Sequence, residues 1–304
     1  MAEIIRDVIK DELSIKRKLS PIYVDEIRNE DSVQKIERQD RKRIAFGWYG
    51  GKFSHLSWLL PLLPQSTHYV EPYSGSAAVL LNRPPSSVET YNDIDGEVCT
   101  FFRVLRDRPE ELIYALSMTP FSREEFYLAV EGPARGIPDL ERARRFFIRA
   151  RQTRTGLAQT ATLGRWANCK NTSRSGMSGV VSRWLGGIDG LQDIAQRLMR
   201  VQIENRPAID VINLYDGPHT LFYCDPPYLH ETRSDAKAYG FEMDNAQHAD
   251  LARVLQNIEG RAAVSGYRCD QMDEWYAEWK RFDAPVKQCH SSKADRQECV
   301  WMNY

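Results

Sequence analysis

The 304-residue chain is 42% hydrophobic, enough to bury a full core in one large domain or two, which excludes an intrinsically disordered protein. Its longest apolar stretch, Leu56 to Leu63, is broken by Pro61, and the charged start Met1-Ala2-Glu3 has no signal-peptide pattern, so no membrane span and a cytoplasmic location are expected. The formal net charge of −1 hides an asymmetry, because ten Lys or Arg and no Asp or Glu lie between Arg142 and Arg183, leaving −11 for the rest.

Residues 1–43 carry 11 basic and 10 acidic residues, with helix-like spacing at Ile4, Ile5, Val8, Ile9 and Leu13, and read as a charged N-terminal extension. From Ile44 strands and helices alternate. A helix is predicted over Ser54 to Leu60. A short strand at Tyr69-Val70-Glu71 leads through the turn Pro72-Tyr73-Ser74-Gly75-Ser76 into an apolar helix ending at Asn82. The strand Val88 to Asn92 ends in Asp93-Ile94-Asp95, and a helix with Val98, Phe101, Phe102 and Leu105 follows. Strand, glycine turn, helix, strand and acidic end are the order of a mononucleotide-binding half of a doubly wound α/β fold. Residues 108–197 break that rhythm and read as an inserted module, helical at its ends and irregular between. Strands resume at Val201 to Glu204, Thr220 to Cys224 and Ala262 to Ser265, with helices after the first two, the second over Asn245 to Asn257, and Glu298 to Tyr304 is a final strand. The predicted organisation is an extension (1–43), a catalytic domain (44–107 and 198–304) and an insert (108–197).

The insert holds the one-signed block. Solvated surfaces normally mix charges, so such a block points to a polyanion. Arg145, Arg151, Arg154, Arg165, Lys170 and Arg174 are the candidate nucleic-acid contacts, and the small and amide side chains of Thr153 to Gly179 suit a nucleic-acid backbone and base edges.

The most informative segment is Asp225-Pro226-Pro227-Tyr228, directly after the apolar run Leu221 to Cys224. Two prolines fix two φ angles and push Asp225 into an extended conformation. At the carboxyl end of a strand this makes a stiff cup of acceptors walled by an aromatic ring. The Asp225 carboxylate and the Pro226 carbonyl can accept from the two N–H groups of an exocyclic amine, localising its lone pair toward an electrophilic methyl group, while Tyr228 stacks on the base. Glu71 and Asp93, at two other strand ends, suit a cofactor with a cationic group and a ribose diol, and S-adenosylmethionine meets that description. The six cysteines, Cys99, Cys169, Cys224, Cys269, Cys289 and Cys299, form no CxxC pair. Neither a zinc site nor a disulfide framework is expected, and Cys289-His290 with Cys299 reads as incidental.

Trp48-Tyr49-Gly50-Gly51-Lys52, Val70 to Ser76, Asn92 to Asp95, Asp225 to Tyr228 and Trp301-Met302-Asn303-Tyr304 together resemble the Dam-type (alpha-class) DNA adenine methyltransferases, including compact phage and prophage members. The resemblance runs from about Ile44 to Tyr304. It implies a Rossmann-like methyltransferase sheet with helices on both faces and base flipping of the target adenine. Trp48 and Lys52 would border donor and target, Glu71, Pro72, Tyr73 and Gly75 would line the donor's amino acid, Asp93 would hold its ribose, and Ile94 would pack on its adenine. Asn205-Arg206-Pro207 stands where the family often has an acidic residue, and the insert lacks the Asn-Val-Pro stretch of GATC-specific members, so the recognition sequence stays open. Transfer to cytosine's exocyclic amine, or an inactive DNA-binding regulator of the same fold, are the competing readings. No length remains for a nuclease, so any restriction endonuclease partner would be a separate chain.

Overall fold

The computed structural model describes residues 42–132, 136–174, 176–232, 240–285 and 297–304. The expected N-terminal amphipathic helix and the Cys289-His290 pair lie outside the described residues.

Seven strands form one sheet in the order β5-β2-β1-β6-β7-β9-β8. They are β1 (His68–Glu71), β2 (Val88–Asn92), β5 (Val201–Glu204), β6 (Thr220–Cys224), β7 (Arg261–Tyr267), β8 (Lys280–Asp283) and β9 (Glu298–Met302). β1, β2, β5, β6 and β7 pair in parallel, while β9 runs antiparallel between β7 and β8. Every residue of β6 is buried, as a central parallel strand covered on both faces requires.

The two faces follow the period of two along each strand. Tyr69, Tyr91, Leu221, Tyr223, Val300 and Met302 point into one core cluster, and Val70, Phe222, Cys224, Val264, Cys299 and Trp301 into the other. The second face is covered by α9 (Ala208–Tyr215), α10 (Asn245–Leu255) and α11 (Asp270–Trp275). α10 starts on a reciprocal cap in which Asp244 accepts from the Gln247 N–H and the Gln247 side chain accepts from the Asp244 N–H, which satisfies two amides at the helix start.

The first face carries α1 (Leu56–Leu59, flanked by 3-10 turns), α2 (Ala78–Asn82) and α3 (Gly96–Asp107). It also carries α4 (Pro109–Ser117), α5 (Arg123–Glu131), α6 (Asp139–Gln152), α7 (Gly179–Asp189) and α8 (Leu191–Leu198). Asp95 caps α3 by accepting from the Glu97 N–H at 2.9 Å, and the buried face of that helix presents Phe101 and Phe102. Phe101 stacks on Phe147 of α6 at 5.6 Å, Phe46 meets Phe146 edge-on at 5.1 Å, and Phe147 packs on Trp184 of α7. Residues 108–197 therefore share the core of the sheet. Within them, β3 (Ser173–Arg174) and β4 (Met177–Ser178) form a small antiparallel hairpin.

Among the described residues the hairpin, α11 and β8 were not predicted. β8 is an edge strand with no buried residue and so no hydrophobic alternation to read. The helix predicted over Ser54 to Leu60 is split: the chain tightens into 3-10 geometry on either side of α1, and Pro61, directly after the predicted range, sits inside the second 3-10 turn.

Candidate active site

The strand order reverses between β1 and β6, so the loops at their carboxyl ends diverge and leave a crevice. A cavity of about 460 Å³ opens there. It is lined by Trp48, Lys52, Glu71, Pro72, Tyr73, Gly75, Asp93, Ile94, Asp225 and Pro227, among others. All eight residues proposed for the cofactor thus meet at one place, together with Asp225 of the acceptor cup.

The turn after β1 is held by a lattice of local bonds. Ser74 Oγ donates to Glu71 O at 2.7 Å, the Ser74 N–H donates to Asn92 O at 2.9 Å, and Asn92 Nδ2 donates to Pro72 O at 2.8 Å. Asp93 accepts from the Gly75 N–H at 2.8 Å and from the Asp95 N–H at 2.9 Å. Gly75 has φ +48°, and a Cβ there would lie 2.4 Å from Trp48 Nε1, so both its backbone and its bare face are needed. Ala77, also left-handed at φ 56°, stores strain beside the cavity, where the surrounding packing over-determines the turn.

Four lining carboxylates, Glu71, Asp93, Asp95 and Asp225, have raised proton affinity, in each case mainly because burial disfavours the anion. Glu71 is 2% exposed and pushed up to about 8, although the Tyr69 hydroxyl donates to it at 2.7 Å. Asp93 is raised to about 6, with the Asp95 and Gly75 amides working against burial. Asp225 is also raised to about 6; Lys52 lowers it, and the Glu298 charge raises it.

Lys52 organises the cup. Its Nζ lies 2.7 Å from Asp225 Oδ1 and 3.4 Å from Glu298 Oε1, donates to Gly50 O at 2.6 Å, and stands 4.9 Å above the Tyr228 ring. Tyr228 donates to Glu298 Oε1 at 2.5 Å and meets Tyr267 edge-on at 4.8 Å. Neither Pro226 nor Tyr228 lines the cavity; both are buried. The ring face expected to stack on a base is covered by the lysine.

A family description for D12 class N6 adenine-specific DNA methyltransferases matches residues 48–292. The chain belongs to this family. It is 26% identical over 198 residues to the Type II methyltransferase M1.LlaDCHI of Lactococcus lactis subsp. cremoris, covering 60% of this chain and 64% of that protein, a little under two thirds of its length. It is 24% identical over 234 residues to the DNA adenine methylase of Vibrio cholerae, covering 72% and 79%. A solved rRNA methyltransferase, AviRa of Streptomyces viridochromogenes, overlaps 82% of this chain and 80% of its own at 15% identity and a TM-score of 0.31, too low for any argument to rest on.

Family members that act on DNA need a cationic surface, and here the basic block divides. Arg142 and Arg149 pair with Glu97 at 2.7 and 3.0 Å, Arg144 with Glu125 and Glu141 at 2.7 Å each, and Arg145 with Glu141 at 2.7 Å. Arg145 is 9% exposed, packed beneath Gly132, and its charge is met internally; its expected place on a DNA-facing surface does not fit. Arg151 is half-buried against Gly187 and donates to Arg183 O at 2.6 Å. Arg154, Arg165, Lys170, Arg174 and Arg183 are exposed.

Sequence reasoning missed Glu298 and Gln159. Glu298, at the start of β9, touches both Lys52 and Tyr228, and a carboxylate opening a buried apolar strand was the available signal. Gln159 lines the cavity from a 3-10 turn within the basic segment, and nothing local in the sequence marks it. Among the described residues no cluster of metal ligands occurs, and no helix is long and apolar enough to cross a membrane.

Proposed function

We propose that this D12-class chain transfers the methyl group of S-adenosylmethionine to the exocyclic N6 of an adenine in double-stranded DNA. The observation that carries the reading is the meeting of the Asp225 cup with Glu71, Gly75 and Asp93 around one cavity at the β1/β6 reversal. The donor fits the residues present: a buried acid with raised proton affinity invites a cationic partner, and the glycine-turn face that a Cβ would fill permits close approach.

When bound, the donor supplies an electrophilic methyl group on a sulfonium. Glu71 would face its cationic amino-acid end, Asp93 would accept from its ribose hydroxyls, and Ile94, 45% exposed, would offer an apolar face to its adenine. Asp225 accepts an N–H of the target amine, raises the localisation of the nitrogen lone pair and takes the proton as positive charge develops on nitrogen. Stacking the base on Tyr228 calls for Lys52 to move off the ring, and the ion pair to Asp225 lets the lysine shift while staying near the carboxylate. A flipped adenine reaches the cup without unpairing the whole site.

Arg154, Arg165, Lys170 and Arg174, with Arg183, form the DNA contact set, and Arg145 and Arg151 leave it. The reaction belongs where the DNA lies, in the cytoplasm. A restriction endonuclease partner is not required by this reading.

The test uses purified full-length protein, methyl-labelled S-adenosylmethionine and duplex DNA, with methylated positions mapped by long-read sequencing. N6-methyladenine at one short sequence is expected, lost in Asp225→Ala while donor binding persists. Label on cytosine, or donor binding without any transfer by the native protein, would overturn the assignment.

A further inference from the structure

One polar atom at the cavity is used by none of the contacts above. Gln159 lies on the 3-10 turn Ala158–Thr160 and lines the cavity. Its Oε1 is buried and has no hydrogen-bond partner. Buried acceptors without a donor are costly and uncommon, so one carried by a residue that lines a ligand cavity points to a donor that arrives with the ligand.

The turn is built to hold the amide in place. Ala158 is buried in the core, and the Ala161 N–H donates to Ala158 O at 3.2 Å. Just before it, Gly156 is left-handed at φ +71°, and its carbonyl oxygen lies 3.0 Å from where a Cβ on Gly47 would stand. On the other side, a Cβ at Gly240 would lie 3.5 Å from Gln159 Cγ, so the side chain is confined between two segments. Asn205 cannot serve in its stead, since it does not line the cavity.

We propose that Gln159 Oε1 accepts a hydrogen bond from an N–H of an adenine ring held in the cavity, a chemistry shared by the adenosyl group of the donor and the target base. The proposal rests on the function argued above. A side-chain amide is suited to an adenine edge because its oxygen accepts from an exocyclic amine while its nitrogen donates to a ring nitrogen.

The experiment compares full-length native protein with Gln159→Leu, which removes the acceptor at similar size, and Gln159→Glu, which keeps an acceptor oxygen. Two quantities are read: the dissociation constant of S-adenosylmethionine without DNA, and kcat/KM for duplex DNA at saturating donor. Gln159→Leu is expected to lose about tenfold in one of them, with Gln159→Glu recovering most of it. A loss confined to donor affinity assigns the contact to the adenosyl group, and a loss confined to kcat/KM assigns it to the target adenine. Both quantities within twofold of native protein in Gln159→Leu would overturn the proposal, as would equal losses in the two variants, since packing alone would then explain them. If the native protein neither binds the donor nor methylates DNA, it is the proposed function that fails.

Discussion

On the proposed reading, Glu71 makes donor binding a proton-coupled event whose size follows from its surroundings. In the ligand-free protein its proton affinity is pushed up to about 8, first by burial, so at pH 5.5 only about 0.3% of molecules carry the anion and at pH 7.0 about 9%. A cationic donor binds the anionic form, and apparent affinity scales with that fraction, so the dissociation constant should tighten about 30-fold between these pH values. The sign is fixed: binding releases the proton, hence affinity rises with pH and levels off above about 8. Asp93, raised to about 6, contributes a further factor of about 4 over the same span if its anion is also required. Calorimetric titration of S-adenosylmethionine without DNA, in two buffers of different ionisation enthalpy at pH 6.5, should show release of about one proton. Glu71→Gln removes the titrating group and should leave at most the fourfold change. A native dissociation constant constant within threefold from pH 5.5 to 7.0, or an unchanged pH slope in Glu71→Gln, would refute the reasoning.

Lys52 holds Asp225 below the proton affinity that burial alone would give it, so Lys52→Met should move the acid limb of the kcat profile upward, with activity at pH 7 partly restored at pH 8.5; an unmoved limb would separate Lys52 from the acceptor. With donor saturating, the native limb should itself lie below about 6, measurable in single-turnover transfer across pH 5 to 8. Gly75→Ala places a methyl group 2.4 Å from the Trp48 indole at a left-handed φ; a loss of about 2–4 kcal/mol in urea unfolding and at least tenfold weaker donor binding are expected, and a variant of native stability would contradict the close approach. Replacing Arg154, Arg165 and Lys170 together by Gln should reduce the slope of log K against log salt for DNA by about 2.7, whereas Arg145→Gln, at a buried ion pair, should lower stability and leave that slope unchanged.

Much of the sheet was legible because β2, β5 and β6 are short runs bounded by polar turns, and β6 reads as apolar throughout because both of its faces are covered. β8 was not legible. Its residues are all at least partly exposed, and its place is set only by pairing with β9. The cavity was legible in its corners, since Glu71, Asp93 and Asp225 each follow a strand that the pattern reveals. Their meeting depends on strand order, which no local pattern carries. The basic block misled for a related reason. Counting between Arg142 and Arg183 cuts off Asp139 and Glu141, which sit at helical spacing from Arg142, Arg144 and Arg145, and it cannot see Glu97 and Glu125, which arrive by tertiary packing. Helical spacing of opposite charges was available as a signal and outranks a one-signed count.

The donor acid and the acceptor cup are one electrostatic unit. The Asp225 charge is among the influences raising Glu71, after burial, and Glu298 presses on Asp225 from the far side through the same lysine. Neutralising the donor-side charge with a bound cation therefore favours the ionised form of both acids. Asp225 is then an anion when the target amine arrives, which is the state that can accept its N–H and later its proton. On this argument donor binding extends rather than creates the ionised state of the cup: Asp225, raised to about 6, is already mostly anionic at pH 7, and a bound cation keeps it so toward lower pH.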